Sequence, residues 1–128
     1  MMRNITYEGW FYRDDKLLFR ATMFAGMNGV MTGERSNAFS VSLNSRNPSY
    51  RHNYFTLLQN IGSFILKAPQ VTRVIRETLE ECDNYESCAY PKLSTTPMMA
   101  YCYLTIAGSK PYEGAIISRD RYESANIR

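Results

Sequence analysis

Histidine is nearly absent from this chain: His52 is the only one in 128 residues, beside three cysteines. Zinc sites draw on closely spaced His and Cys ligands. No such spacing can be assembled here, so no metal site is expected. The odd cysteine count leaves at least one thiol unpaired unless another chain supplies its mate. No apolar run approaches the length of a bilayer span, and Met1 to Tyr12 lacks the uninterrupted apolar stretch of a secretory leader. Blocks of Lys and Arg are missing too. The net charge is only +3, and basic residues stand singly, as at Arg73, Arg76, Arg119 and Arg121. Nucleic acid is therefore not an expected partner. No internal repeat, low-complexity tract or linker interrupts the chain.

Aromatic residues, by contrast, are plentiful. Ten tyrosines and six phenylalanines favour a sheet-rich protein, and the length suits one domain, residues 1–128. Ile5 to Tyr12 and Lys16 to Ala25 read as strands joined by the turn Arg13-Asp14-Asp15, where aspartates make local side-chain bonds. Gly29 to Thr32 and Ala38 to Asn44 read as the next two strands, with a turn over Gly33 to Asn37. Together they write an antiparallel meander. The period then changes. Tyr54, Leu57, Leu58, Ile61, Phe64 and Ile65 repeat at three and four residues, one face of a helix, which Phe55 and Leu66 widen. Pro69 suits the first turn of a second helix, whose inner face is Val71, Val74, Ile75 and Leu79. On its outer side Arg76 and Glu80 stand at an i,i+4 spacing. A short third helix over Asn84 to Leu93 contains Pro91, which should break or kink it. Met98 to Ala107 and Glu113 to Arg119 form a final hairpin around Gly108-Ser109-Lys110-Pro111. Strands, then grouped helices, then strands imply an α+β fold.

The most informative stretch is Met23 to Arg46, MFAGMNGVMTGERSNAFSVSLNSR. Gly26, Gly29 and Gly33 permit positive φ or close backbone approach. Val41 and Leu43 alternate with Ser40, Ser42 and Asn44, which puts Asn44 on a polar face at a strand end. Asn4-Ile5-Thr6 is a glycosylation acceptor, whereas Asn47-Pro48-Ser49 is excluded by its proline. Cys102 sits mid-strand among Tyr101, Tyr103 and Leu104 and reads as a small buried hydrophobe. His52, in a polar loop, reads as a surface residue, and Glu80-Glu81 as a solvated helix end.

Taken in order, FAGMNGVMTG, FSVSLNSR, VIRETLEE leading to NYES, KLSTTPMMAYCYLTIAG and EGAIISRDR resemble the acid ceramidase family over nearly the whole chain. That resemblance implies an N-terminal-nucleophile hydrolase with a four-layer αββα sandwich, of which this sequence would be a partial version. It implies fatty-acid release from N-acylethanolamines or ceramides by a cysteine thiol whose own α-amino group is the base, with no cofactor and a lysosomal or secretory setting. The family's nucleophile opens a Cys-Thr-Ser segment, and this chain has neither that segment nor any cysteine before Cys82. The expectation is a central piece of the catalytic subunit, inactive alone and dependent on flanking segments or a companion subunit. The alternative is a non-catalytic lipid-binding or interaction module descended from the same fold.

One catalytic position is carried over. At the end of the strand matching Phe39 to Asn44, the wider superfamily places a polar residue of the oxyanion hole, and the Asn44 amide has suitable chemistry. Its other reading is a simple strand end. Where the family reads Asn/Asp-Glu-Arg, this chain reads Asn44-Ser45-Arg46 and lacks the acidic residue. Met23, Phe24 and Met31 become expected acyl-chain neighbours, since flexible methionines fill irregular apolar sites. The helix over 54–66 is either ordinary core or an interfacial helix resting on lipid, as the family uses exposed apolar helices.

Overall fold

Alternation builds the sheet. Across the rungs, Gly9, Ala21, Gly33, Val41, Ile106 and Ala115 form one apolar row, and the next row is Glu8, Thr22, Thr32, Ser42, Thr105 and Ile116. Successive strand residues point to opposite faces, so one face is apolar and the other carries hydroxyls and charges. The computed structural model describes residues 3–46, 54–65 and 67–128. After a 3₁₀ turn at Arg3–Ile5 come β1 (Thr6–Arg13), β2 (Lys16–Phe24), β3 (Thr32–Arg35) and β4 (Phe39–Ser45). Helices α1 (Tyr54–Ile65), α2 (Val71–Glu81) and α3 (Tyr90–Thr95) follow, then β5 (Cys102–Gly108), β6 (Gly114–Arg119) and β7 (Ser124–Ile127). The seven strands lie side by side in sequence order, each antiparallel to the next. The expected α+β partial sandwich is thus present as one sheet and one helical layer. His52, Leu66 and the side chains of Tyr54, Phe55 and Leu57 lie outside the described residues.

The core lies between the sheet's apolar face and the helices. Phe19, Val74, Ile75, Leu79, Leu93, Leu104 and Ile117 are fully buried in it, and Phe11 stacks on Phe19 at 4.2 Å. The inner face expected of α2 is the one buried, and the Arg76–Glu80 pair forms at 2.7 Å. Helix α1 differs: Leu58, Ile61, Phe64 and Ile65 are exposed, while Ser63 is buried and accepts from Arg121. The core reading therefore fails for those four residues.

Four local expectations need correction. The third strand is Thr32–Arg35, and Gly33 lies within it instead of in the following turn. A Cβ on Gly33 would come within 2.6 Å of Leu79 Cδ1 and 3.0 Å of the Arg20 carbonyl, so this glycine lets α2 sit close on the sheet. The reversal is made further on, where Asn37 takes φ 59° and the Ala38 amide donates to the Arg35 carbonyl. Pro69 precedes the α2 N-cap, Gln70, instead of entering the first turn. Asn84 to Leu93 is not one broken helix but a π-helical turn, Tyr85–Ala89, running into α3, with Pro91 in the first turn of α3. A proline ring clashes with the carbonyl four residues back in a continuous α-helix, and the wider i→i+5 turn relieves that contact. Finally β5 starts at Cys102, because the amides of Met98 and Met99 are taken by Arg121 and Pro69 carbonyls. Strand β7 has no counterpart in the sequence reading.

Candidate functional site

The polar end of β4 is where the sequence placed chemistry, and the ladder shows what surrounds it. Asn44 faces Tyr103 on β5, Tyr103 faces Ser118 on β6, and Ser118 faces Asn126 on β7. These four share the face away from the helices. Asn44 is exposed, and its side-chain amide makes no hydrogen bond among the described residues. Its two N–H groups are thus available to an incoming oxygen.

One residue beyond β4, Arg46 reaches across β5. Its Nη1 lies 2.5 Å from Asp120 Oδ1 and 3.2 Å from the Arg119 carbonyl, and its guanidinium sits 5.8 Å from the Tyr103 ring centre. The Asp120 amide in turn donates to the Glu123 carbonyl. This pair fastens the end of β4 to the end of β6, with Tyr103 held between. Sequence reasoning missed Arg46, Tyr103 and Asp120 as a unit. The one available signal was the pairing of a hydrophobic-alternating strand end with an Arg-Asp-Arg run at a second strand end.

On the next rung and the opposite face, an exposed Ser45 gives way to the core. Ser45 faces Cys102, and Cys102 faces Arg119. Cys102 is buried and unbridged. Burial pushes its thiol up to about 11, against the lowering influence of the Arg119 and Arg46 cations. Arg119 is fully buried; its guanidinium donates to the carbonyls of Ser94 and Thr96 at the end of α3 and to Ser124 Oγ. Those carbonyls are the unpaired acceptors of a helix end, where a cation is favoured. Burial lowers the Arg119 pKa, and neighbouring Cys102 and Asp120 oppose that shift. The other two cysteines, Cys82 and Cys88, form a disulfide between the end of α2 and the π-helical turn.

The remaining expected site residues are dispersed. Met23 is buried on the helix-facing side of β2, with its Cγ against Gly9. Phe24 is half-buried at the end of β2, opposite Thr6. Met31 is half-buried beside β4, its carbonyl accepting from the Leu43 amide. The structure therefore brings Met31 next to the Asn44 strand end and leaves Met23 on the other side of the sheet. Asn4 is exposed in the 3₁₀ turn. The sheet's open face also holds a shallow depression of about 510 Å³ lined by Arg20, Thr22, Thr32, Glu34, Ser42 and Thr105. Among the described residues no group of three or more His, Cys, Asp or Glu comes together to hold a metal, and no helix is long and apolar enough to cross a membrane.

Comparison with known proteins gives a consistent picture. No family model matches the sequence. The N-acylethanolamine-hydrolyzing acid amidase of Caenorhabditis elegans is 36% identical over 128 residues, which is 99% of this chain and 34% of that protein. Acid ceramidase of Mus musculus is 37% identical over 118 residues, covering 91% of this chain and 29% of that protein. The rat N-acylethanolamine-hydrolyzing acid amidase is 29% identical, over 98% of this chain and 33% of its own length. A solved structure of the Caenorhabditis elegans amidase ortholog superimposes with a TM-score of 0.82 at 33% identity, covering 99% of this chain and 52% of that chain. The chain spans about a third of the length of the curated relatives it matches.

Proposed function

This chain is homologous to the N-acylethanolamine-hydrolyzing acid amidases and acid ceramidases, and from that premise we propose that it is the sheet-and-helix portion of a fatty-acid amide hydrolase whose nucleophile lies outside these 128 residues. The thiols carry this reading. Attack on an amide carbonyl needs an accessible thiolate. Cys82 and Cys88 are consumed in a disulfide, and Cys102 is buried with its thiol held neutral. None of the three can attack.

What the chain contributes is the receiving side of the reaction. When a thiolate adds to the amide carbon, the carbonyl electrons move to oxygen and an oxyanion develops. Asn44 offers side-chain N–H groups to it from a strand end fastened by Arg46 and Asp120. Removing one such donor typically costs about 3 kcal/mol of transition-state stabilisation. Met31 and Phe24 are the acyl-chain neighbours this placement favours; Met23, on the buried face, would act only through the core. The exposed Asn4 sequon and the Cys82–Cys88 bridge support a secretory or lysosomal setting, where disulfides persist.

Palmitoylethanolamide and a ceramide, each incubated with the purified 128-residue chain, should yield no fatty acid before or after thiol alkylation. Release by this chain alone would overturn the proposal. In a longer product that carries a nucleophile, Asn44→Ala should lower kcat roughly 10²-fold with the fold intact.

The exposed apolar row of α1 favours a second reading, a lipid-surface module without catalysis. Leu58, Ile61, Phe64 and Ile65 recur at helical spacing, and Phe64 is 77% exposed. Flotation with phosphatidylcholine–phosphatidylserine vesicles that is abolished by Phe64→Glu would support it. A chain that stays unbound sets it aside.

A further inference from the structure

We propose that the Cys82–Cys88 disulfide is a redox-sensitive lock on the strand end that carries Asn44, an inference that rests on Asn44 being the oxyanion donor. The bridge ties the end of α2 to the π-helical turn, and α3 continues that turn without a break. A helix of six residues has little stability of its own. Leu93 seats α3 in the core, and Lys92 pairs with Glu81 of α2 at 2.5 Å. The Glu81 side chain is 63% exposed, and an ion pair so open to solvent contributes little. The covalent link is the firm tie between the end of α2 and the segment that leads into α3.

From α3 the contacts run without a gap to the Asn44 strand end. The Ser94 and Thr96 carbonyls accept from the Arg119 guanidinium, and Ser94 also accepts from Ser124 Oγ at 2.8 Å. The β6–β7 ladder is irregular between Ser118 and Arg119, so this grip falls where regular pairing is interrupted. A buried guanidinium that loses its acceptors is driven toward water. The Arg119 carbonyl and the Asp120 carboxylate both hold Arg46. Asn44 lies two residues before Arg46 and faces Tyr103, the ring beneath the Arg46 guanidinium. An oxyanion donor is effective only when preorganised, so loosening α3 takes the Asn44 amide out of place. Cys82 is fully buried and Cys88 half-buried, which leaves the Cys88 sulfur as the one a reductant reaches. A thiolate of a dithiol bonds to Cys88 Sγ, the S–S bond breaks, and Cys82 leaves as a thiolate that takes up a proton. The second thiol then displaces Cys88, which is protonated in turn. The dithiol gives up two electrons and two protons and ends as a disulfide.

Amide hydrogen exchange of the 128-residue chain, oxidised and then in dithiothreitol, tests the lock without substrate. Reduction should speed exchange at Asn44 and Asp120 roughly tenfold or more, while the paired amides of β1 and β2 keep their rates. The double variant Cys82→Ala, Cys88→Ala should exchange like the reduced chain and stop responding to dithiothreitol, with circular dichroism checking that it folds. If that variant fails to fold, the reduced natural chain still decides the matter. Unchanged rates at Asn44 and Asp120 overturn the proposal, including the case in which only the π-helical turn and α3 loosen. So does a uniform rise across all strands, which would make the bridge a general stabiliser. A double variant that exchanges like the oxidised chain overturns it as well. The donor role of Asn44 is read separately, from kcat of Asn44→Ala in a longer product, so failure of the lock and failure of that role give different results.

Discussion

Asn44 and Cys102 stand on adjacent strands, one rung apart, and point to opposite faces of the sheet. That single geometric fact gives them opposite chemistry: one amide open to solvent, one thiol sealed under helices. The sealed thiol makes a pH signature. Its folded pKa, about 11, is raised above the ordinary 9.0 because burial disfavours the thiolate. The stability this contributes is complete below about pH 9 and is lost as pH climbs toward 11, since only the unfolded chain ionises in that window. Urea midpoints measured across that range should fall, and Cys102→Ala should flatten the part of the slope that belongs to the thiol. Iodoacetamide should leave Cys102 unmodified in the folded chain and label it once the chain is unfolded. The burial of Cys102 was legible in the sequence, from its apolar strand context. Its neighbours Arg46 and Arg119 were not, because pairing across strands brings together residues far apart in the chain.

Elements show where pattern reading succeeds and where it slips. Strands β1, β2, β4, β5 and β6 declared themselves by alternation, and α2 by its 3.6-residue face. Strand β3 slipped by about three residues because Gly33, flanked by polar residues, carries the composition of a turn. Its true role is contact with Leu79, which local sequence does not encode. Strand β7 is four residues with little apolar content, too short to write a period. The π-helical turn was equally hidden, although one of its stabilisers is local. Asn84 is its N-cap: the side-chain oxygen accepts from the Ser87 amide at 2.9 Å and from the Ser87 hydroxyl at 2.5 Å. Asn84→Ala should therefore cost about 1 kcal/mol by denaturant unfolding. The loss should be larger once the Cys82–Cys88 bridge is reduced, because that bridge restrains the same turn in the unfolded chain. Unchanged stability in both states would show that the cap is idle.

At the scale of the molecule, Arg119 is one of the side chains that join the layers, as Arg35 does from β3 to the Leu79 and Glu80 carbonyls of α2. Arg119 leaves the sheet at the end of β6, enters the helical layer and binds the last carbonyls of α3 as well as Ser124 at the start of β7. Lysine in its place would keep the charge but lose the planar fork that serves several acceptors at once. Arg119→Lys should destabilise the chain by about 2 kcal/mol, as buried carbonyls lose donors. A thermal melt that shifts by less than a degree would remove Arg119 from this role. The general α+β order was readable from the sequence, but this join was not, because an arginine among scattered basic residues looks like solvated surface.

Ser45 and Cys102 face each other across one rung, so the chain leaves the sheet after β4 and returns to the place it left. Seen from the sheet, the entire helical layer is one long hairpin loop. The entropy of closing such a loop grows only logarithmically, about 0.6 kcal/mol for each doubling of its length. Insertions or deletions among the helices can therefore accumulate without disturbing strand register. The strand end that carries Asn44 is free of the history of everything inserted beside it.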